Sequence, residues 1–257
     1  MKKFFFTFDN TTRAKRLKKN FLKKYTHYPL RQADVIIVGG GDGFMLQTLK
    51  KFEKHKKPFF GINCGSFGFL MNKNKDLNLI KRINKTKKII LKPLEISIKK
   101  RVTSKKLLAI NELSIFRQSK QTAAIQIKSN KKIILKKLIG DGIIVSTPAG
   151  STAYNLSVSG PILSLNSNKL AITPISPFRP RRWEGKTINN TNVIEIINLD
   201  TKKRPIAAVA DNVEVRDIMK VIIKINKKSS FALLYDKNRG LDTRIKGEQL
   251  IKKSKKK

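Results

Sequence analysis

Apolar residues in the first third of the chain occur in short runs, separated by basic stretches in which they recur at helical spacing. Short β-branched or aromatic runs predict buried strands, and the spacing of Leu17 and Phe21 predicts a helix with one apolar face. The predicted strands lie at 3–8, 35–38 and 59–62, and the predicted helices at 11–24, 44–52 and 76–83. Strands that alternate with helices predict a mostly parallel, Rossmann-like α/β sheet, which binds ligands at the carboxyl ends of its strands.

After Pro93 the pattern changes to short, alternating, β-branched runs. They predict strands at 94–100, 107–116, 123–128, 132–139, 193–197, 207–209, 213–215 and 221–225. Many short strands without intervening helices predict a β-rich, sandwich-like domain. We therefore predict an α/β domain over residues 1–92 and a β-rich domain over 93–235. The remaining segment, 236–257, is expected to contain a helix at 241–250 that packs back on the first domain, followed by a basic tail.

The second predicted strand leads directly into a glycine-rich turn, which consists of Gly39, Gly40, Gly41, Asp42 and Gly43. Glycines allow backbone N–H groups to approach a ligand closely, and the start of a helix attracts negative charge, so the turn suits a phosphate. Asp42 is the one side chain in this turn that can take up a proton. Two interpretations stay open at this point: a phosphate site with a working carboxylate, or an ordinary turn in which Asp42 caps the helix.

A second polar cluster follows a predicted strand in the β-rich part of the chain, between Gly140 and Tyr154. Its acid Asp141, its hydroxyls at Ser151 and Thr152 and its aromatic ring suit a nucleoside. The alternative is a helix that is capped by Ser151 and has no ligand.

The pair Asn111 and Glu112 stands at the head of a predicted strand. An amide next to a carboxylate can hold ribose hydroxyls, because the two side chains offer both donors and acceptors. The same pair also fits a solvated strand start, so by itself it does not distinguish a ribose site from an ordinary strand end.

The composition points to a basic protein of ordinary globular type. Lysine and arginine number 57 against 17 acidic residues, which gives a formal net charge of +40. Such a charge is typical of nucleic-acid binding, but the lysines are scattered and no aromatic residues alternate with them, so we interpret it as compositional bias and expect no specific nucleic-acid partner. No apolar run approaches membrane-spanning length, the N-terminus has no cleavable leader pattern, and the single cysteine excludes an internal disulfide. We expect a cytoplasmic protein without a membrane partner.

Taken together, these motifs resemble the NAD kinase family. The loop at 40–43, the Asn111-Glu112 pair and the block at 141–154, with its Ser-Thr-Pro-x-Gly-Ser-Thr-Ala-Tyr pattern, follow the order of that family. The segments 65–69, 173–177 and 209–212 are similar to family segments as well. The glycine loop is shared with diacylglycerol and sphingosine kinases, whereas the block at 141–154 separates a nucleotide kinase from these lipid kinases.

The resemblance implies an active site between the two domains. It also implies transfer of the terminal phosphoryl group of ATP, or of polyphosphate, to the 2′-hydroxyl of the adenosine ribose of NAD, which makes NADP. Asp42 would orient or deprotonate that hydroxyl, and Gly39, Gly40, Gly41 and Gly43 would hold the donor phosphates. The residues that would bind NAD are Asp42, Gly43, Phe69, Asn111, Glu112, Asp141, Ala149, Thr152, Ala153, Tyr154, Asn155, Leu156, Ser157, Ser176 and Asn212.

The family also implies partners that no single residue reveals. A divalent metal ion, expected to be Mg²⁺, would be held by the donor phosphates near Asp42. The chain would form a homodimer or a homotetramer.

Three other functions compete with this one. An oxidoreductase that uses NAD would carry Gly-x-Gly-x-x-Gly after its first strand, and here Phe44 stands at the third glycine position. A lipid kinase explains the glycine loop alone, and a nucleic-acid-binding protein explains the charge alone. The NAD kinase interpretation explains the loop, the Asn-Glu pair and the block together.

Overall fold

The structure is a computed structural model, which describes residues 2–66, 68–74 and 78–236. The chain divides into two compact units: unit 1 contains residues 1–91 and 230–257, and unit 2 contains residues 92–229. The helix and tail expected beyond residue 236 lie outside the described residues. None of the described helices is both long and apolar enough to cross a membrane.

Unit 1 is built on a five-stranded α/β sheet. Its strands are β1 (Phe4–Phe8), β2 (Val35–Gly40), β3 (Phe59–Asn63), β4 (Thr86–Leu91) and β17 (Phe231–Asp236). Their order in the sheet is β1-β2-β3-β17-β4. β1, β2, β3 and β17 pair in parallel, and β17 pairs with β4 in the antiparallel sense. The helices of unit 1 are α1 (Thr12–Lys24), α2 (Asp42–Phe52) and α3 (Leu79–Asn84).

The core of unit 1 follows from the sequence pattern. Every residue of β2 is buried, as expected for a central parallel strand with both faces covered. Helix α1 places Leu17 and Phe21 against the sheet, where they pack with Phe4 and Phe6. The Thr11 side chain caps this helix by accepting a hydrogen bond from the backbone N–H of Ala14.

Unit 2 contains two six-stranded antiparallel sheets. Its strands are β5 (Leu94–Lys99), β6 (Ser104–Ala109), β7 (Glu112–Arg117), β8 (Ala123–Ser129), β9 (Lys132–Gly140), β10 (Gly142–Ser146), β11 (Lys169–Ile175), β12 (Lys186–Asn189), β13 (Ile194–Asn198), β14 (Ile206–Ala210), β15 (Val213–Val215) and β16 (Lys220–Ile225). The strand orders are β12-β11-β10-β7-β14-β15 and β6-β5-β16-β13-β8-β9. One short helix, α4 (Tyr154–Ser157), follows β10. Apolar residues from both sheets form a single buried cluster, which is the arrangement of a sandwich core.

The predicted fold class is confirmed, and several details differ. Strands β4, β11 and β12 lie where the sequence pattern predicts no strand. Residues 231–235, which the sequence assigns to the β-rich domain, belong to strand β17 in the sheet of unit 1. The single strand expected at 107–116 is two strands, β6 and β7, that lie in different sheets. The helix expected to begin at Phe44 begins at Asp42, and strand β2 continues through Gly39 and Gly40.

Candidate functional site

In unit 1, the glycine-rich turn joins the end of the buried strand β2 to the start of helix α2. Gly41 is the N-cap of this helix and Asp42 is its first residue, so Asp42 does not cap the helix itself. Because the N-cap is a glycine, no side chain at that position accepts a hydrogen bond from the first turn. The N–H groups of a helix start favour an anion, and they lie at the carboxyl edge of a parallel sheet, where ligands of such sheets bind.

The Asp42 carboxylate is held in a fixed orientation by the segment that follows β3. One of its oxygens accepts a hydrogen bond from the backbone N–H of Phe69 at 2.6 Å, and the other accepts one from the N–H of Leu70 at 3.0 Å. The structure therefore brings together Asp42 and Phe69, two predicted site residues 27 positions apart. A carboxylate can accept about four hydrogen bonds, so this type of side chain can accept a hydroxyl as well as backbone N–H groups.

Two of the glycines in the turn are explained by packing. A Cβ atom on Gly39 would lie 2.4 Å from the Phe8 ring, and one on Gly40 would lie 2.8 Å from the Phe44 ring. Both glycines are needed because these aromatic side chains occupy the space of a Cβ atom.

The other two glycines have no such explanation. A Cβ atom on Gly41 or Gly43 would meet no atom within 4 Å. The φ and ψ of Gly41, −102° and −178°, are extended values that any residue adopts. Nothing in the described part of unit 1 therefore requires glycine at these two positions, whereas a ligand that approaches the backbone closely would.

In unit 2, several predicted site residues lie at one edge of the six-stranded sheet that contains β7. Glu112 begins β7 and stands opposite Ser146, the last residue of β10. On the other side of β7, strand β14 ends at Ala210, opposite Leu113. The Asn111-Glu112 pair is thus flanked by the turn after β10 and the turn after β14.

The turn after β10 is bonded tightly to the Asn111 segment. The N–H of Thr147 donates to the Asn111 carbonyl at 2.9 Å, and the Thr147 hydroxyl donates to the Ile110 carbonyl at 2.7 Å. A Cβ atom on Gly150 would lie 2.3 Å from the Asn111 carbonyl oxygen, so glycine is required for this close approach. These contacts place Thr152 in the same edge region as Asn111 and Glu112.

Three polar atoms at this edge are buried without a hydrogen-bond partner in the described residues: Asn111 Oδ1, Glu112 Oε2 and Thr152 Oγ1. Leaving such an atom unpaired costs about 1–3 kcal/mol, so buried polar atoms are rarely left this way without a reason. One further side-chain atom, Ser167 Oγ, shares this state. Three of the four atoms therefore belong to residues that the family resemblance assigns to NAD binding, and their polar atoms can hydrogen-bond to a polar ligand.

Glu112 is also electrostatically unusual. Burial and, secondly, the neighbouring Asp211 carboxylate raise the pKa of Glu112 from its usual 4.5 to about 8. Both causes disfavour the charged form, because an anion loses water on burial and is repelled by a second anion. At neutral pH the Glu112 side chain is therefore mostly a carboxylic acid, which can donate one hydrogen bond as well as accept others.

We expect Glu112→Gln to stabilise the fold at alkaline pH. The folded state binds the Glu112 proton up to about pH 8, whereas the unfolded chain releases it near 4.5, so wild-type stability falls as pH rises between these values. Glutamine cannot ionise and escapes this loss, which should amount to about 4 kcal/mol at pH 8. Thermal unfolding of both proteins at pH 4.5 and pH 8 measures the effect, and a difference in midpoint that is the same at both pH values would contradict it.

Asp211 lies in the segment 209–212 but is not among the predicted site residues, which include its neighbour Asn212. Its carboxylate oxygens accept hydrogen bonds from the backbone N–H groups of Ile110 at 2.8 Å and Asn111 at 2.9 Å. The Asp211 N–H donates in turn to the Glu112 carbonyl at 3.1 Å. The sequence signal that could have found Asp211 is its position directly after a short apolar strand. Asp42 likewise lies just beyond the end of a strand, separated from β2 by one residue.

The segment after β10 contains both exposed side chains and buried side chains that are hydrogen-bonded within the protein. Asn155 is completely buried, and its amide oxygen accepts a hydrogen bond from the Thr173 hydroxyl at 2.7 Å. The Ser151 hydroxyl bonds to the backbone of Pro148 and Leu163 and does not cap a helix. Tyr154 is 37% exposed, and its ring stacks on Phe116 at 5.8 Å, which leaves one face open.

The remaining predicted residues of unit 2 divide in a similar way. Asp141 is paired with Arg117 at 2.5 Å, and both side chains are 39% exposed. Ser157, Ser176 and Asn212 are exposed, Ala153 and Leu156 are partly exposed, and Ala149 is buried. Ser176 has a φ of 45°, in the left-handed region that a serine rarely adopts.

Sequence comparison places both parts of the chain among known proteins. Residues 4–86 match the family described as ATP-NAD kinase N-terminal domain, and residues 110–217 match the one described as ATP-NAD kinase C-terminal domain. The NAD kinase of Zymomonas mobilis is 45% identical over 242 residues, which cover 93% of this chain and 94% of that protein. The NAD kinase of Brucella suis is 43% identical over 245 residues, 95% of each chain.

Two solved structures share the fold. A yeast NADH kinase complexed with NADH aligns with a TM-score of 0.78 at 18% identity, covering 96% of this chain and 86% of that one. An NAD kinase from Archaeoglobus fulgidus in complex with ATP aligns with a TM-score of 0.71 at 22% identity, covering 93% and 94%. At these identities the likeness concerns the fold.

Proposed function

The chain belongs to the NAD kinase family, and from this premise we propose that it moves the terminal phosphoryl group of ATP to the 2′-hydroxyl of the adenosine ribose of NAD, with Asp42 as the residue that acts on that hydroxyl. The 2′-oxygen forms a bond to the γ-phosphorus while the bond from that phosphorus to the β-phosphate oxygen breaks, so the products are NADP and ADP. The hydroxyl proton passes to the Asp42 carboxylate. The observation that carries the assignment of NAD to unit 2 is the set of three buried, unpartnered atoms on Asn111, Glu112 and Thr152.

Unit 1 supplies the donor side of this proposal. Gly41 and Gly43 leave open space beside the first turn of α2, and the N–H groups there suit the negative oxygens of a triphosphate. Gly39 and Gly40 support the same turn from within β2 by letting aromatic rings pack close to the strand. Asp42 is anchored to the backbone by two hydrogen bonds, so it meets the hydroxyl in a fixed orientation. Fixed orientation of reacting groups is a large source of catalysis in phosphoryl transfer.

Unit 2 supplies the acceptor side. Asn111, Glu112 and Thr152 form the polar core of the NAD site, and Tyr154 offers one free ring face to a base or ring of the dinucleotide. Asn155 takes part as a scaffold residue, since its side chain is buried and bonded within the protein. The other proposed members of the NAD site are Asp141, Ala149, Ala153, Leu156, Ser157, Ser176 and Asn212 in unit 2, and Gly43 and Phe69 in unit 1.

A divalent metal ion such as Mg²⁺ belongs to the proposal as well. The described residues contain no group of three or more His, Cys, Asp or Glu side chains placed to bind a metal. This fits Mg²⁺, which is commonly held by substrate phosphates and only one or two carboxylates. Asp42 is the carboxylate at the donor turn, and the ion would neutralise phosphate charge there. A homodimer or homotetramer in the cytoplasm is proposed on the family resemblance alone.

The test offers the purified chain NAD together with ATP and Mg²⁺, and in a parallel reaction polyphosphate and Mg²⁺. NADP is measured with an NADP-specific dehydrogenase, and a reaction with EDTA serves as the metal control. We expect NADP from ATP, and its loss with EDTA. No NADP from either donor would overturn the proposal.

A further inference from the structure

The turn after β14 is built around an acidic residue in an uncommon backbone conformation. Asp211 has a φ of 52°, in the left-handed region, where aspartate and asparagine are tolerated better than other side chains. This conformation allows its carboxylate to turn back and accept the N–H groups of Ile110 and Asn111 at 2.8 and 2.9 Å. Its own N–H donates to the Glu112 carbonyl, so hydrogen bonds in both directions connect Asp211 with the segment 110–112.

The two neighbouring carboxyl groups have opposite surroundings. Two backbone N–H donors satisfy the Asp211 carboxylate, and such donors stabilise its negative charge. Glu112 Oε2 is buried and has no donor in the described residues. After burial, the charge of Asp211 is the second cause that raises the pKa of Glu112. When two carboxyl groups lie close together, the one with donors carries the charge and the other keeps the proton.

We propose that Asp211 is a positioning residue for NAD, which orients the Asn111-Glu112 pair and keeps Glu112 protonated, so that Glu112 donates a hydrogen bond to an oxygen or ring nitrogen of the bound nucleoside. This inference rests on the proposed function, because it concerns the same NAD site. Asn111 Oδ1 and Thr152 Oγ1, which are buried without a partner in the described residues, then share hydrogen bonds with the nucleoside. An ionised Glu112 loses its donor and adds negative charge to a site for an anionic dinucleotide.

The inference predicts how the KM for NAD depends on pH. The pKa of Glu112 is raised to about 8, so above that pH the protonated form that binds NAD is lost. The KM for NAD should therefore rise above pH 8, approaching about tenfold per pH unit. The kcat at saturating NAD should change much less over the same range. Steady-state kinetics from pH 6.5 to 9.5, with ATP and Mg²⁺ saturating, measure both parameters.

Two variants separate this role from a merely structural one. Asp211→Asn keeps a residue type that tolerates the left-handed backbone, but it removes the charge and one of the two oxygens that accept backbone N–H groups. Without the charge, the pH at which the KM begins to rise should move down. Glu112→Gln cannot ionise, so its KM for NAD should not change with pH in this range, whatever its level. Thermal unfolding of each variant confirms that it is folded.

The possible results distinguish the two proposals. No NADP from the wild-type chain would overturn the proposed function itself. An active wild-type enzyme whose KM for NAD is constant between pH 6.5 and 9.5 would overturn only the inference about Glu112 and Asp211. That inference would also fail if the rise persists in Glu112→Gln, or if a folded Asp211→Asn shows the rise at the wild-type pH. If Asp211→Asn does not fold, the comparison of wild type with Glu112→Gln still shows whether the rise in KM depends on the ionisation of Glu112.

Discussion

Asp42→Asn is expected to lower kcat by about 10²–10⁴-fold, with a smaller change in the affinity for NAD. Asparagine cannot take up the proton of the ribose hydroxyl. Its amide nitrogen is also a donor, so it cannot replace both oxygens that accept the N–H groups of Phe69 and Leu70. A residual rate should remain, because bound and aligned substrates still react slowly without the base. Initial rates at saturating NAD and ATP measure the change in kcat, and the KM for NAD measures the change in affinity.

Asp34→Asn provides a matched control in the same unit. Asp34 precedes β2, whereas Asp42 follows it, and the Asp34 carboxylate also accepts a backbone hydrogen bond, from Lys3 at 2.7 Å. The same chemical change at the opposite end of the strand should leave kcat at the wild-type level. Equal turnover in Asp42→Asn and wild type would remove Asp42 from the mechanism. An equal loss in both variants would attribute the effect to the stability of unit 1.

The local pattern predicts three of the five strands of unit 1, misses β4 and β17, and misplaces the end of β2. Val35 to Val38 form a β-branched run, so the strand is evident, whereas Gly39 and Gly40 have low strand propensity and indicate a turn. In the structure they continue β2, because β3 pairs with them as far as Asn63 and β1 as far as Phe8. Pairing partners distant in sequence, rather than propensity, set the end of this strand.

Long-range contacts also explain the differences in the β-rich part of the chain. The apolar run at 107–116 predicts one strand, but the N–H groups of Ile110 and Asn111 bond to Asp211, about 100 residues away, and the chain passes there from one sheet to the other. Likewise, 231–236 has the pattern of any short strand, and only its pairing with β3 and β4 assigns it to unit 1. Sequence periodicity reports that a strand exists and which face is buried, not which sheet contains it.

Much of the candidate site is predictable because its motifs are short and continuous. Asn111, Glu112 and Thr152 follow from their residue types and the family resemblance, and the structure adds that each has a buried atom without a partner in the described residues. The role of Asp211 is not predictable, since it depends on a left-handed turn that brings its carboxylate to a backbone distant in sequence. The raised pKa of Glu112 follows from burial and from the nearby Asp211 charge, neither of which a sequence displays.

Gly41→Ser is expected to separate ligand binding from folding. Gly41 is the N-cap of α2, its backbone is extended, and a Cβ atom there would meet nothing within 4 Å. Serine is a better N-cap than glycine by a few tenths of a kcal/mol, so the fold should be as stable as before or slightly more stable. A side chain at this position would nevertheless occupy the space through which phosphates reach the backbone. We expect kcat/KM for ATP to fall by about 10²-fold, since small misplacements of a reacting group cost this much.

Gly39→Ala should lower the stability of the fold, in contrast to Gly41→Ser. Its Cβ atom would lie 2.4 Å from the Phe8 ring, so the core must shift, at a cost of about 1–3 kcal/mol in folding free energy. Measuring Tm and kcat/KM for ATP on both variants gives the two effects side by side. Wild-type kcat/KM for ATP in a stable Gly41→Ser variant would show that the donor phosphates do not approach this turn. A loss of kcat/KM for ATP without loss of stability would mean that glycine is kept at position 41 for the ligand and not for the fold.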